Sequence, residues 1–189
     1  MGLAPELEAR VGGVLEFCAK WLAYAGGALL AALALITVAS VLGRAFIFIG
    51  LGPIKGDYEL VEMGCAIAVF AFMPWCQLKR GHVTVDLFVD LMPMRVKLFF
   101  SLLGNVALAA AATLIAWRLG AGFNEKLPQK WVGFFEFEKN WAVEETYELG
   151  LPLWIGYGFA MIGAALFAAV ALYTVWRSIN EAAQGEVRA

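Results

Sequence analysis

Four long apolar blocks, separated by charged or glycine- and proline-containing links, set the pattern of this chain. Each block is about as long as the ~20 residues that a helix needs to cross the hydrocarbon core of a bilayer. The blocks predict membrane helices over about 19–42, 57–78, 96–119 and 151–176. Ahead of the first block, Val11, Val14, Leu15 and Cys18 recur at helical spacing, with Glu8 and Glu16 elsewhere on the wheel. Residues 1–18 therefore read either as a short amphipathic helix or as a frayed terminus. Trp21 and Tyr24 suit an interfacial belt where the first span begins. That span exceeds the ~7–15-residue core of a signal peptide, and no polar region precedes Val38-Ala39-Ser40, so it is read as an anchor that stays.

The links carry their own signals. Pro53 and Gly56 mark turns after the first span. Asp57 suits a helix N-cap, and Glu59 and Glu62 favour the positive end of the second helix. Pro74 predicts a kink near that helix's far end. Residues 82–92 alternate like a strand, but a lone strand near lipid leaves its backbone unpaired. An interfacial helix is preferred, with His82, Asp86 and Asp90 on its polar face and Met92-Pro93 at its end. In the third span Gly104, Ala107, Ala111 and Ala112 form a small-residue side that permits close helix approach. In the fourth, Gly156, Ala160, Ala164 and Ala168 form a ridge of the same kind. The connector 120–150 mixes aromatic and charged residues, Trp131 and Glu138 among them, and predicts an interface-lying hairpin or short helix.

Composition agrees with the pattern. Hydrophobic residues make up 62% of the 189, above the half or so usual for a soluble domain, and mean hydropathy is +0.75. The fold class expected is an all-α integral membrane protein: four transmembrane helices plus interfacial amphipathic segments, in a single membrane domain, 1–189. A net charge of −2 suggests no nucleic-acid surface. Cys18, Cys65 and Cys76 are odd in number and lack CxxC spacing, so neither a disulfide framework nor a zinc site is expected.

Four spans put both termini on one side, together with the short loop that holds Lys79, Arg80, Arg95 and Lys97. The excess of basic residues in short cytoplasmic loops then predicts cytoplasmic termini, with the acidic cluster and the connector facing outward.

Candidate chemistry is sparse. Arg44 closes the first span, and Glu59 and Glu62 share a face at the head of the second. An Arg44–Glu59 or Arg44–Glu62 pair is expected to join two helices or to hold a partner subunit. His82 and Asp86 have i, i+4 spacing, but two ligands do not make a metal site, and a hydrogen-bonded pair is the better reading. A membrane b-type haem needs two axial histidines, and the chain has one. No catalytic group and no cofactor is assigned to this chain.

Taken together, these residues resemble the small, Q-type (DctQ-like) permease subunit of TRAP transporters, the tripartite ATP-independent periplasmic systems. The resemblance rests on Arg44, then Asp57-Tyr58-Glu59-Leu60, then Lys79-Arg80-Gly81-His82-Val83-Thr84-Val85-Asp86 and Met92-Pro93. Leu151-Pro152-Leu153-Trp154-Ile155-Gly156-Tyr157 resembles the family's opening of the fourth span. The connector looks longer and more aromatic than is usual for the family. The resemblance implies a multi-pass protein of the bacterial inner membrane that acts in organic-acid uptake. Its partners would be a large (M-type) membrane subunit, holding the substrate and sodium sites, and a periplasmic solute-binding (P-type) protein. The small subunit would brace the large one, with Arg44, Asp57, Glu59, Glu62, His82 and Asp86 in structural or interface roles. Trp131 and Glu138 are candidates for docking the binding protein. A membrane anchor of a redox or other enzyme complex, and a stand-alone small carrier, are the competing readings.

Overall fold

A computed structural model describes residues 5–79, 94–131, 137–139 and 143–184. Four helices carry the fold: α1 (Pro5–Ala45), α2 (Asp57–Leu78), α3 (Met94–Lys126) and α4 (Leu153–Gln184). All four contain stretches long and apolar enough to cross a membrane. Among the described residues this is an all-α membrane fold with a short 3-10 turn at Ile47–Ile49 and a small strand pair. In the connector, β1 (Gln129–Trp131) and β2 (Phe137–Lys139) pair antiparallel, with Lys130 opposite Glu138 and Trp131 opposite Phe137. The hairpin alternative for the connector is the one the chain adopts here. The expected interfacial helix with His82, Asp86 and Asp90 lies outside the described residues.

α4 is the central helix. It packs on α2 along one flank and on α3 along the other, and α1 lies against α2. α1 also meets α4 at the end where the described chain begins and finishes, here called the near side. Among the described residues, α2 and α3 do not pack along their length. The four helices thus form a bent layer rather than a closed bundle, and a cleft runs between α2 and α3 with α4 as its floor.

Periodicity explains the α1–α2 seam. Glu8, Gly12, Leu15, Ala19, Leu22, Gly26, Leu29, Leu33, Ile36, Ser40 and Gly43 of α1 are all buried or half-buried, and they are spaced alternately by three and four residues. That 3.5-residue repeat keeps one stripe facing a neighbour at a shallow left-handed crossing. The partners step in register. Ser40 bonds to Asp57, Leu33 lies on Gly64 and Gly26 lies on Ala71, each step seven residues along both helices in opposite directions. On the other flank of α2, Gly156 faces Met63 and Gly163 faces Phe70. A Cβ at Gly163 would stand 2.5 Å from the Phe70 carbonyl oxygen, so only glycine allows α2 and α4 this close.

Residues 5–18 are not a separate amphipathic helix: they continue α1 without a break. The near-side end of α4 holds them there. The Glu8 carboxylate accepts from Asn180 Nδ2 at 2.6 Å, and Gly12 lies under the Tyr173 hydroxyl. α2 stays helical through Pro74, which is fully buried. The third-span expectation needs correction. Ala112 is buried, but Gly104, Ala107 and Ala111 are exposed, because α3 turns Asn105, Ala109 and Ala112 toward α4 instead.

Candidate functional site

Chemistry collects at the two ends of the layer. On the far side, Gly56 adopts a left-handed conformation, φ 73°, and caps α2. A side chain there would be strained, and its Cβ would strike Leu149 as well. This turn makes Asp57 the first helical residue and points its carboxylate at α1. Asp57 Oδ2 accepts from the Ser40 hydroxyl at 2.5 Å and from Arg44 Nη2 at 2.6 Å. Arg44 also donates to the Tyr58 hydroxyl at 3.0 Å and lies over that ring. The Ser40 oxygen in turn accepts from the Ile54 backbone N–H, at 3.3 Å.

Arg44 therefore pairs with Asp57 and not with Glu59 or Glu62. Glu59 has a different task. Its carboxylate accepts the backbone N–H groups of Glu148 and Leu149, at 2.7 and 3.1 Å, and Glu148 returns a bond by accepting the Gly56 N–H at 2.6 Å. These reciprocal bonds clamp the last part of the connector onto the head of α2. A second tie, between Lys126 and Glu144, fixes the same segment to the end of α3. Glu62 is exposed and makes no hydrogen bond or ion pair with a described residue. It stands in the wall of the α2–α3 cleft. His82 and Asp86 lie outside the described residues. Trp131 and Glu138 fall on β1 and β2.

On the near side, a buried polar chain links three helices. Gln77 of α2 donates to the Thr174 hydroxyl of α4 at 2.8 Å and to the Asn105 side-chain oxygen of α3 at 3.3 Å. Asn105 donates to the Ser178 hydroxyl at 2.7 Å. The sequence reading passed over these residues. Their signal was available: Gln77, Asn105 and Thr174 are polar groups within or at the edge of apolar blocks, where each needs a partner.

Among the described residues, no cluster of three or more His, Cys, Asp or Glu could hold a metal. The geometry joins helices and holds a connector in place.

The comparisons with known proteins bear on what such a scaffold serves. The family described as "Tripartite ATP-independent periplasmic transporters, DctQ component" matches residues 33–181. The chain belongs to this family. The DctQ match takes in the Arg44–Asp57 pair, the Glu59 clamp and the near-side polar chain alike. DctQ is a transporter component, so the chain is a small subunit of a TRAP-type transporter and not an enzyme. The first part of α1 lies outside the DctQ match. No curated protein and no solved structure matches the chain significantly.

Proposed function

We propose that this DctQ chain braces a large membrane subunit that takes up an organic acid with sodium, after a periplasmic binding protein delivers it. The bent layer is the observation that carries the bracing role. Only 11–39% of the most apolar stretch in each helix is buried within the chain. A closed bundle that moved solute by itself would bury more and would line a polar path. A layer with both faces open suits a wall built against another membrane protein. Sodium and substrate are assigned to the large subunit, and no cofactor to this one. The proposed location is the bacterial inner membrane with both termini cytoplasmic. The basic loop residues Lys79, Arg80, Arg95 and Lys97 support that sidedness.

The test is mild-detergent purification of the chain from its own membranes, followed by reconstitution. A large multi-span protein should co-purify, and uptake in proteoliposomes should need both chains, the binding protein and a sodium gradient. Uptake by this chain alone, or a redox cofactor in place of a large membrane partner, would overturn the proposal. A cysteine placed at Ala189 should be labelled only from the cytoplasmic side.

A further inference from the structure

Just before α4 the chain makes a tight turn in which nearly every residue is engaged. The Thr146 N–H donates to the Leu151 carbonyl at 2.9 Å, and the Thr146 hydroxyl accepts the Leu151 N–H at 3.0 Å. Gly150, left-handed at φ 62°, donates to the Thr146 carbonyl, and Leu153 donates to that of Glu144. Leu149 lies against Gly56, and Glu148 and Glu59 make the reciprocal clamp with the head of α2. Tyr147 is the exception. Its side chain is 100% exposed and makes no hydrogen bond or ring contact with a described residue. The turn is thus held by its neighbours, whatever side chain stands at 147, and the ring is left free for contact outside the chain. A tyrosine on a fixed backbone offers a large amphipathic surface and loses little freedom when it docks.

Shape, place and charge select the partner. A projecting side chain with nothing over it is a knob, so the partner must supply the hollow, and a small molecule does not. Glu148 accepts the Gly56 N–H, one of the donors left open at the end of α2. The turn therefore caps that end and stands outward of the Arg44–Asp57 pair, away from lipid tails. Glu144, Glu145 and Glu148 are exposed in the same turn, residues 143–150 hold no cation, and Lys126 answers Glu144 alone. Such a rim repels anionic headgroups, which recruit lysine and arginine instead. A second copy of this chain fits no better, because its far-side cleft is lined by Glu59 and Glu62 and by no basic residue. The chemistry that fits is a soluble protein with a hollow rimmed by lysine or arginine.

We propose that Tyr147 is a docking knob for the periplasmic binding protein, seated in a hollow rimmed by basic side chains on that protein. This contact rests on the delivery role proposed above and is separate from the β1–β2 hairpin.

The test uses the full membrane complex in nanodiscs and the binding protein that supports its uptake, with association and dissociation read at low and high salt. Tyr147→Ala should weaken docking about tenfold or more, as truncation of an aromatic anchor does. Its melting and its co-purification with the large subunit should match the unaltered chain, which separates loss of docking from loss of fold. Glu145→Lys should slow association, and its association should fall less steeply with added salt. Unchanged docking in Tyr147→Ala, faster association in Glu145→Lys, or cross-links from Tyr147→Cys to the large subunit alone would overturn the proposal. No docking to the unaltered complex would remove the delivery role along with the knob, whereas equal docking by Tyr147→Ala removes the knob alone.

Discussion

Arg44, Ser40 and Asp57 show how a pair of helix ends is fixed at a membrane boundary. Asp57 is nearly buried, and its Oδ2 accepts from both Ser40 and Arg44, whereas Arg44 is partly exposed and reaches Tyr58 as well. Removing Arg44 would leave the carboxylate charged and short of a donor, and removing Asp57 would leave a cation with water within reach. Asp57→Ala should therefore lower the chain's thermal stability in detergent, as should Arg44→Ala. The double change should cost clearly less than the sum of the two, as required of groups in direct contact. Additive losses would show that the two residues do not act together. Glu59→Ala should behave differently: it should be additive with Arg44→Ala and should loosen the connector, read as faster proteolysis near Glu148. The sequence made an Arg44 pairing with the acidic cluster legible, but not which carboxylate it meets. Asp57 is turned inward by a left-handed Gly56, and Glu59 is engaged by backbone some ninety residues later. Neither contact leaves a trace in helical spacing.

At the scale of the helix, contacts are set by small residues and by a few polar groups. Ala164 is fully buried at the α4 interface, so Ala164→Leu should overpack it and cost about 1–3 kcal/mol. Unchanged melting would mean that the helices can separate there without penalty. Gln77→Leu removes the donor shared by Thr174 and Asn105 and should cost about 0.6–2 kcal/mol, the range of interhelical hydrogen bonds in membranes. The small-residue ridge of α4 was legible because four small residues recur at intervals of four. The same reasoning misplaced α3. There, two small faces compete, and composition cannot tell which one Asn105 will draw toward Ser178.

At the scale of the molecule, the far side presents a hairpin on a fixed base. The Glu59 clamp and the Lys126–Glu144 pair hold the segment that follows β2, fixing it to the head of α2 and to the end of α3 that leads into β1. Trp131→Ala combined with Glu138→Ala should weaken docking of the binding protein, measured by co-sedimentation with the reconstituted complex, while the membrane complex stays intact. Unchanged docking and transport would remove that role from the hairpin. Four spans were legible from apolar block length alone. Their arrangement as a bent layer was not, since side-by-side order depends on which faces meet.

α2 has 22 residues and is about 33 Å long, close to the ~30 Å of a bilayer's hydrocarbon core. α1, α3 and α4, with 41, 33 and 32 residues, overhang it on the near side. The shortest helix is therefore held to a fixed depth, with Asp57, paired with Arg44, at one boundary and Lys79, tied to Glu16, at the other. The overhanging ends of the longer helices can answer a change in thickness, but α2 and the stretch of α1 tied to it cannot shift without drawing charge into oil. α2 acts as a draught mark for the whole layer. Any partner seated against that layer inherits a vertical zero.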